Sequence, residues 1–166
     1  MSFEAMLRGL TEAEIKFVIV GGVAAAAHGA SRLTNDLDVC YDAEDLSNVD
    51  SLGKLLAGWK AYPRGIEKGL PFMMDGKTLR GAPLLTLTSS EGDIDVMDRI
   101  SGVGPYKSVL AHSERILAFD LEFRVLDLPT LIEAKRAAGR PRDFEHLIEL
   151  EALLALRGKA TGMRPE

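Results

Sequence analysis

The stretch "FVIVGGVAAAAHGASRLTNDLDVCYD", residues 17–42, decides the fold. With Lys16 it opens on a short, β-branched, apolar run (16–20) that stops at Gly21-Gly22, which reads as a buried strand followed by a tight turn. Alanine, the best helix former, then fills most of 23–27, and Gly29 ends the segment, so a short helix is expected there. The next run, "DLDVCYD", alternates. Asp36, Asp38 and Cys40 take one face of a strand, and Leu37, Val39 and Tyr41 take the other. Two carboxylates two apart in a strand point the same way, with Cα atoms ~6.5–7 Å apart. Such a pair is costly on one face of a buried strand unless something positive lies between its members. A solvated strand face is the plain alternative. The apolar flanks and the upstream Gly-Gly weigh against it.

Working outward, "EGDIDVM" repeats the pattern with Asp93 and Asp95. If this strand lies beside the first, the carboxylates form one cluster. Both side chains point the same way and either can ligate; Asp95 is preferred because it sits deeper in the strand, whereas Asp93 follows a turn glycine. A hard divalent cation suits such a cluster, because Mg²⁺ takes oxygen ligands from one or two carboxylates, water and substrate phosphates. Gly21 and Gly22, where a strand turns into a helix, expose backbone N–H groups and let a phosphate approach closely. Arg32 lies between that turn and the aspartates and can pair bidentately with a phosphate. Thr34 reads as ordering the turn, and His28 as a packed histidine. A phosphate cradle, a cation and a metal-binding pair in one unit are the equipment for metal-assisted nucleotidyl transfer.

The remaining chain is read more coarsely. Phe3, Met6, Leu7 and Leu10 recur at helical spacing over 3–13. "DLSNVDSLGKLLAGW" reads as a helix capped at Asp45 or Ser47. Residues 60–82, rich in glycine and proline, read as a long loop or a loose pair of strands, a place where function often resides. "PLLTLTSSEGDIDVMDRI" reads as two strands joined at Ser90-Glu91-Gly92, and "ERILAFDLEFRVLDL" as extended chain with a hairpin around Asp120. Two helices close the chain. Pro129 opens the first and Pro141 the second, with Gly139 between them. The whole is expected to be an α/β (α+β) fold, a small twisted mixed sheet with helices packed mainly on one face, plus C-terminal helices. Residues 1–158 read as a single domain and 159–166 as a flexible tail.

The bulk numbers exclude some classes. The chain has 166 residues, 46% of them hydrophobic, and a formal net charge of −5. That length supports a sizeable core, and the acidic balance argues against general coating of nucleic acid. Cys40, the single cysteine, cannot form an intrachain disulfide and reads as a buried structural thiol. The N-terminus is too short and too charged for a signal peptide, and 23–27 is far shorter than a membrane span. The expected setting is the cytoplasm, with no membrane partner.

The segment "GGVAAAAHGASRLTNDLDV" resembles the Gly-Gly…Arg-x-Thr-x-Asp-x-Asp signature of minimal nucleotidyltransferases in the DNA polymerase β-like superfamily. "DIDVMDRISG" resembles their third-carboxylate strand. "LPTLIEAKRAAGRPRDFEHLIEL" is similar to the Lys…Arg-x-x-Asp helical motif of the abortive-infection (AbiEii-like) toxin branch. The three matches fall in order across residues 17–150. The resemblance implies that Asp36, Asp38 and Asp95 hold Mg²⁺ or Mn²⁺, with Asp95 also the general base toward the acceptor hydroxyl. It implies that Gly21 and Gly22 line the triphosphate, that Lys135 neutralises phosphate charge, and that Arg140 and Asp143 close the C-terminal motif. On spacing alone Lys135 and the adjacent Arg136 have equal claims, since they point about 100° apart on a helix. A plain surface pair is the alternative reading of Arg140 and Asp143, three apart at a helix start; the site reading is preferred.

The expected activity is transfer of a nucleoside monophosphate from a nucleoside triphosphate, ATP or another, to a hydroxyl on RNA, a protein or a small molecule. The resemblance adds a toxin role with an antitoxin protein as partner. The alternative is a nucleotide-binding or partner-binding module with this fold and no robust catalysis.

Overall fold

The computed structural model describes residues 3–162. In chain order the elements are Phe3–Glu12 (α1), Phe17–Val20 (β1), Gly21–Ala27 (α2), Asp36–Tyr41 (β2), Leu46–Gly58 (α3) and Tyr62–Pro63 (β3). Gly76–Arg80 (α4), Leu84–Ser89 (β4), Gly92–Met97 (β5), Arg99–Ile100 (β6), Gly104–Pro105 (β7) and Tyr106–Ala111 (α5) follow. Ser113–Ala118 (β8), Leu121–Leu126 (β9), Leu128–Ala138 (α6) and Phe144–Gly162 (α7) complete the chain.

Seven strands form one mixed sheet in the order β3-β4-β5-β2-β1-β9-β8. β1 pairs antiparallel with β2 and parallel with β9, and β2 pairs parallel with β5. The three strands expected at 16–20, 36–41 and 93–98 are therefore neighbours, and β2 is the central strand. β6 and β7 make a separate two-stranded ribbon.

The core follows from the strand alternation. Leu37, Val39 and Tyr41 are all buried on one face of β2, with Ile19 and Phe17 opposite Val39 and Tyr41 on β1. The Tyr41 hydroxyl reaches the Leu79 carbonyl of α4. α4 packs on α3, and α3 on α1, so these helices cover that face with Met6, Leu7, Leu10, Val49, Leu52 and Leu56. Asn48 of α3 ties two strand ends together. Its Oδ1 accepts from the Lys16 N–H at 2.7 Å, and its Nδ2 donates to the Lys16 and Asp42 carbonyls.

Local signals explain the boundaries. Asp45 caps α3 by accepting from the Ser47 and Asn48 N–H groups, and Asp127 caps α6 by accepting from Thr130, the usual way to satisfy the free donors of a helix start. Gly139 ends α6 with φ 61°, in the left-handed region where glycine is favoured. The β8–β9 hairpin turns through Phe119 and Asp120, both at positive φ, the conformation of a tight primed turn.

Three elements were not read from the sequence. α4 lies inside the stretch read as loop or loose strands, capped by Asp75, which accepts from the Thr78 N–H at 2.8 Å. α5 and the β6–β7 ribbon fill the segment between β5 and β8. Of the segment 159–166 assigned to a tail, 159–162 continue α7 and 163–166 lie outside the described residues. Among the described residues, no helix is long and apolar enough to cross a membrane.

Candidate active site

The register of two strands assembles the carboxylates. β2 and β5 run parallel with Asp36 opposite Asp93 and Asp38 opposite Asp95. Alternation then sets all four on one face of the sheet. One carboxylate oxygen from each of Asp36, Asp38 and Asp95 lies within 4.8 Å of the others. All three residues are half-buried. Burial, and after it the charges of Asp36 and Asp95, push the Asp38 carboxyl up to about 8, against the opposing pull of a hydrogen bond from the Gly22 N–H. Burial also raises the Asp95 carboxyl, while Arg64 pulls it down. Burial and mutual repulsion thus favour the protonated form of Asp38.

This predicts an unusual pH response. Asp38 binds its proton more tightly folded than unfolded, so its contribution to stability is fully present below pH 4 and is lost as pH rises toward 8. The metal-free protein should therefore show a falling Tm contribution from this site across that interval. Asp38→Asn should flatten the slope. Thermal melts of both proteins in chelator at pH 5, 6, 7 and 8 check it, and parallel slopes would refute the assignment.

The two glycines have a steric reason. Gly21 has φ +65°, and a Cβ there would overlap the Asp38 carboxylate. A Cβ on Gly22 would come 2.7 Å from Thr34 Oγ1. Thr34 in turn donates to the Asp36 carbonyl at 3.2 Å. The sequence assigns Gly21 and Gly22 to the triphosphate. The structure sets both on the cavity wall and gives them a steric reason, since they make room for Asp38 and Thr34.

Arg64 was missed by the sequence reading. Its N–H donates to the Thr86 carbonyl at 2.9 Å, which continues the pairing of β3 with β4 by one residue. Tyr62 pairs with Thr88, and Thr86 pairs with Asp95, so alternation sends the Arg64 side chain to the aspartate face. Its Nη2 donates to Asp95 Oδ1 at 2.7 Å and to the Leu87 carbonyl at 2.8 Å. Nε lies 3.5 Å from Asp93 Oδ2, and Nη1 lies 3.9 Å from Asp36 Oδ2. The one available signal was "YPR", an alternating triplet ahead of Gly65.

The same face opens on a cavity of about 870 Å³, within the size range of small-molecule sites. Besides Gly21, Gly22 and the three aspartates, its lining includes Arg32, Lys135, Arg140, Asp143 and His146. The two glycines, Arg32, the three preferred aspartates, Lys135, Arg140 and Asp143 therefore meet at one cavity, whereas Asp93 and Arg136 are not on its wall. Asp143 is buried, at 7% exposure, so it is no surface residue. Its Oδ2 accepts from Arg140 Nε at 2.8 Å, and Lys135 Nζ lies 3.6 Å from its Oδ1. Although burial opposes it, these cations hold the Asp143 carboxyl below the usual range. Burial, then the charges of Arg140 and Arg32, lower the Lys135 ammonium. Arg136 turns away to pair with Glu151 on α7, so of the two adjacent cations Lys135 is the one on the cavity wall.

His146, one turn beyond Asp143, was not read as a site residue. Burial and the charges of Lys135 and Arg32 lower its pKa. Its Nε2 is buried with no hydrogen-bond partner among the described residues, a state that costs free energy unless water or a ligand takes the bond. His28, by contrast, is packed away. Its Nε2 donates to the Leu126 carbonyl at 2.7 Å, and its Nδ1 accepts from Arg157. Cys40 is fully buried, and burial lifts its thiol to about 12, far from a reactive thiolate.

No family model matches the chain, and no curated protein does. Solved structures do match. A Thermotoga maritima protein described as a candidate nucleotidyltransferase superposes with a TM-score of 0.54 at 14% identity, over 89% of this chain and 92% of that one. An antigenic nucleotidyltransferase-like protein from Paracoccidioides brasiliensis superposes with a TM-score of 0.55 at 16% identity, over 92% of this chain and 73% of that one. At such identities the likeness is one of fold, and the fold of this chain is nucleotidyltransferase-like.

Proposed function

We propose that this chain transfers a nucleoside monophosphate from a nucleoside triphosphate to a hydroxyl acceptor. The observation that carries the reading is the meeting of Asp36, Asp38 and Asp95 on the wall of a cavity also lined by Arg32, Lys135 and Arg140. Three carboxylate oxygens are hard donors and fit Mg²⁺ or Mn²⁺ rather than a soft metal. Asp36, Asp38 and Asp95 would hold such a cation, which would supply positive charge against the triphosphate and make the acceptor hydroxyl easier to deprotonate. Asp95 accepts the proton of the acceptor hydroxyl. The hydroxyl oxygen bonds to the α-phosphorus, the bond to the α–β bridging oxygen breaks, and pyrophosphate leaves with the electron pair. Arg32, Lys135 and Arg140 hold the anionic phosphates, Asp143 positions Lys135 and Arg140, and Gly21 and Gly22 let the triphosphate approach the strand end. The acceptor belongs to RNA, a protein or a small molecule. The AbiEii-like resemblance adds a toxin role restrained by an antitoxin protein.

The test is incubation with each labelled nucleoside triphosphate, Mn²⁺ and mixed RNA and protein acceptors, followed by tracking the label. Label on an acceptor supports the reading, and none with any nucleotide rejects catalysis. One observation favours a second reading, a nucleotide-binding module without robust catalysis: Arg64 already neutralises Asp95. Calorimetric titration of Mn²⁺ with a non-hydrolysable triphosphate, read beside label transfer, separates the two, since the module binds the analogue but moves no label.

Arg32 is exposed, so Arg32→Ala should weaken triphosphate binding by about tenfold, the equivalent of one charge-assisted hydrogen bond, while leaving turnover measurable. Lys135→Ala should weaken it more, because it also strips Asp143 of a buried partner. Calorimetry with the non-hydrolysable analogue reads both, and equal affinity in Arg32→Ala and the unaltered protein would remove Arg32 from the site.

A further inference from the structure

The carboxylate face already holds a cation from the chain itself. Arg64 contacts three of the four aspartates of β2 and β5, and two of these, Asp36 and Asp95, belong to the triad. Its shortest contact, 2.7 Å, is to Asp95 Oδ1. A guanidinium carries one positive charge and donates along the lone pairs that a metal would take. A divalent ion among these carboxylates and a guanidinium in the same place carry like charge and repel strongly.

Apart from the aspartates, the guanidinium is held by one bond, from Nη2 to the Leu87 carbonyl at 2.8 Å, and its strand is short. β3 is two residues long at the edge of the sheet, and Gly65 follows at φ +80°. The side chain is one-third exposed, so the guanidinium has a way out without unfolding the core. Nε is buried without a good hydrogen bond, and two of the three ion pairs lie at 3.5–3.9 Å. The fit is looser than a permanent bidentate Arg–carboxylate pair.

We propose that Arg64 is an internal counter-ion that occupies the triad in the metal-free protein and is displaced from Asp95 when a divalent cation binds. The inference rests on the metal reading of the triad given above. Arg64 keeps the like charges of Asp36, Asp93 and Asp95 together before loading, and metal binding releases it toward the cavity. Loading thereby exchanges the guanidinium on Asp95 for the cation, and the proposed transfer uses the carboxylate oxygen left uncoordinated as its proton acceptor. The competing possibility is that Arg64 stays on Asp95 and Asp93 throughout, as a fixed support for the metal site.

The experiment measures Mn²⁺ affinity by calorimetry in the unaltered protein, Arg64→Gln and Arg99→Gln. Arg99 also lines the cavity but pairs with Asp98, so it controls for the loss of one positive charge. Arg64→Gln should tighten Mn²⁺ binding by about tenfold or more, the equivalent of one charge-assisted hydrogen bond, and Arg99→Gln by much less. Without metal, Arg64→Gln should melt lower than the unaltered protein, and Mn²⁺ should raise its Tm by a larger amount. A second measurement needs no variant beyond assignment: the Arg64 Nε–Hε resonance of the unaltered protein should shift on Mg²⁺ addition. Unchanged or weaker Mn²⁺ binding in Arg64→Gln, a shift equalled by Arg99→Gln, or an Arg64 resonance unmoved by saturating Mg²⁺ overturns the displacement and leaves the transferase reading standing. No Mn²⁺ binding in any of the proteins, with or without triphosphate, overturns the metal reading itself and the displacement with it.

Discussion

Asp38→Asn is expected to lower nucleotidyl transfer by about a hundredfold to a thousandfold or more, the range for removing one preorganised charge-stabilising group. The substitution keeps the size and shape of the side chain, so the Gly22 N–H retains an acceptor and the space beside Gly21 stays filled. It removes the ability to become a carboxylate. Asp38 sits between Asp36 and Asp95 in electrostatic terms, since both of their charges raise its pKa, and a divalent cation among the three needs it ionised. Mn²⁺ affinity should fall with transfer. The metal-free fold should not suffer, because the neutral side chain resembles the protonated form already favoured by burial. At pH 8 the variant should melt at or above the temperature of the unaltered protein, as functional-site residues often carry a stability cost. Melts, Mn²⁺ calorimetry and label transfer on one preparation decide the matter. A variant that melts normally and transfers at the original rate would end the assignment of Asp38 to the site.

Gly21→Ala should be the most damaging single change to the fold of the site. The position needs φ +65°, a conformation that a side chain adopts only with strain. Its Cβ would also overlap the Asp38 carboxylate, which is itself held by the central strand of the sheet. Backbone strain and overpacking together should cost about 2–4 kcal/mol of stability. Gly22→Ala should cost less. Its φ is not in the left-handed region, and the atoms it would meet belong to the Thr34 side chain at 2.7–2.8 Å. Urea unfolding of the two variants reads the order. If Gly22→Ala proves the more destabilising, the steric account of the turn is wrong. Gly21→Ala should also lose transfer activity at temperatures where it remains folded, because relief of the overlap must move Asp38.

Much of this was legible because it is local. Alternation located β2 and β5 and set Asp36 and Asp38, and likewise Asp93 and Asp95, on common faces. The apolar run before Gly21 marked β1, and Asp45, Pro129 and Gly139 marked helix ends. These signals depend on residues within a few positions of one another, so backbone sterics and hydrogen bonding write them directly into sequence. The resemblance supplied Lys135, Arg140 and Asp143, which spacing alone left equivocal.

Other features depended on which distant segments pack together. Nothing local says that β2 and β5 run side by side with Asp36 opposite Asp93; burying Leu37, Val39, Ile94 and Val96 in one core sets that register. Nothing local separates Lys135 from Arg136; Glu151 on α7 draws one away, and Asp143 holds the other at the cavity. Arg64 is the clearest case. In sequence it is one cation in a glycine- and proline-rich stretch. It becomes the counter-ion of the site only because β3 pairs with β4, β4 with β5, and the pleat turns its side chain toward Asp95. By itself the sequence determined the strands, the turn glycines and the carboxylates, through short-range sterics and periodicity. Only the tertiary structure decided which charges meet, because charge pairing acts across space and the sheet order brings together what the chain keeps apart.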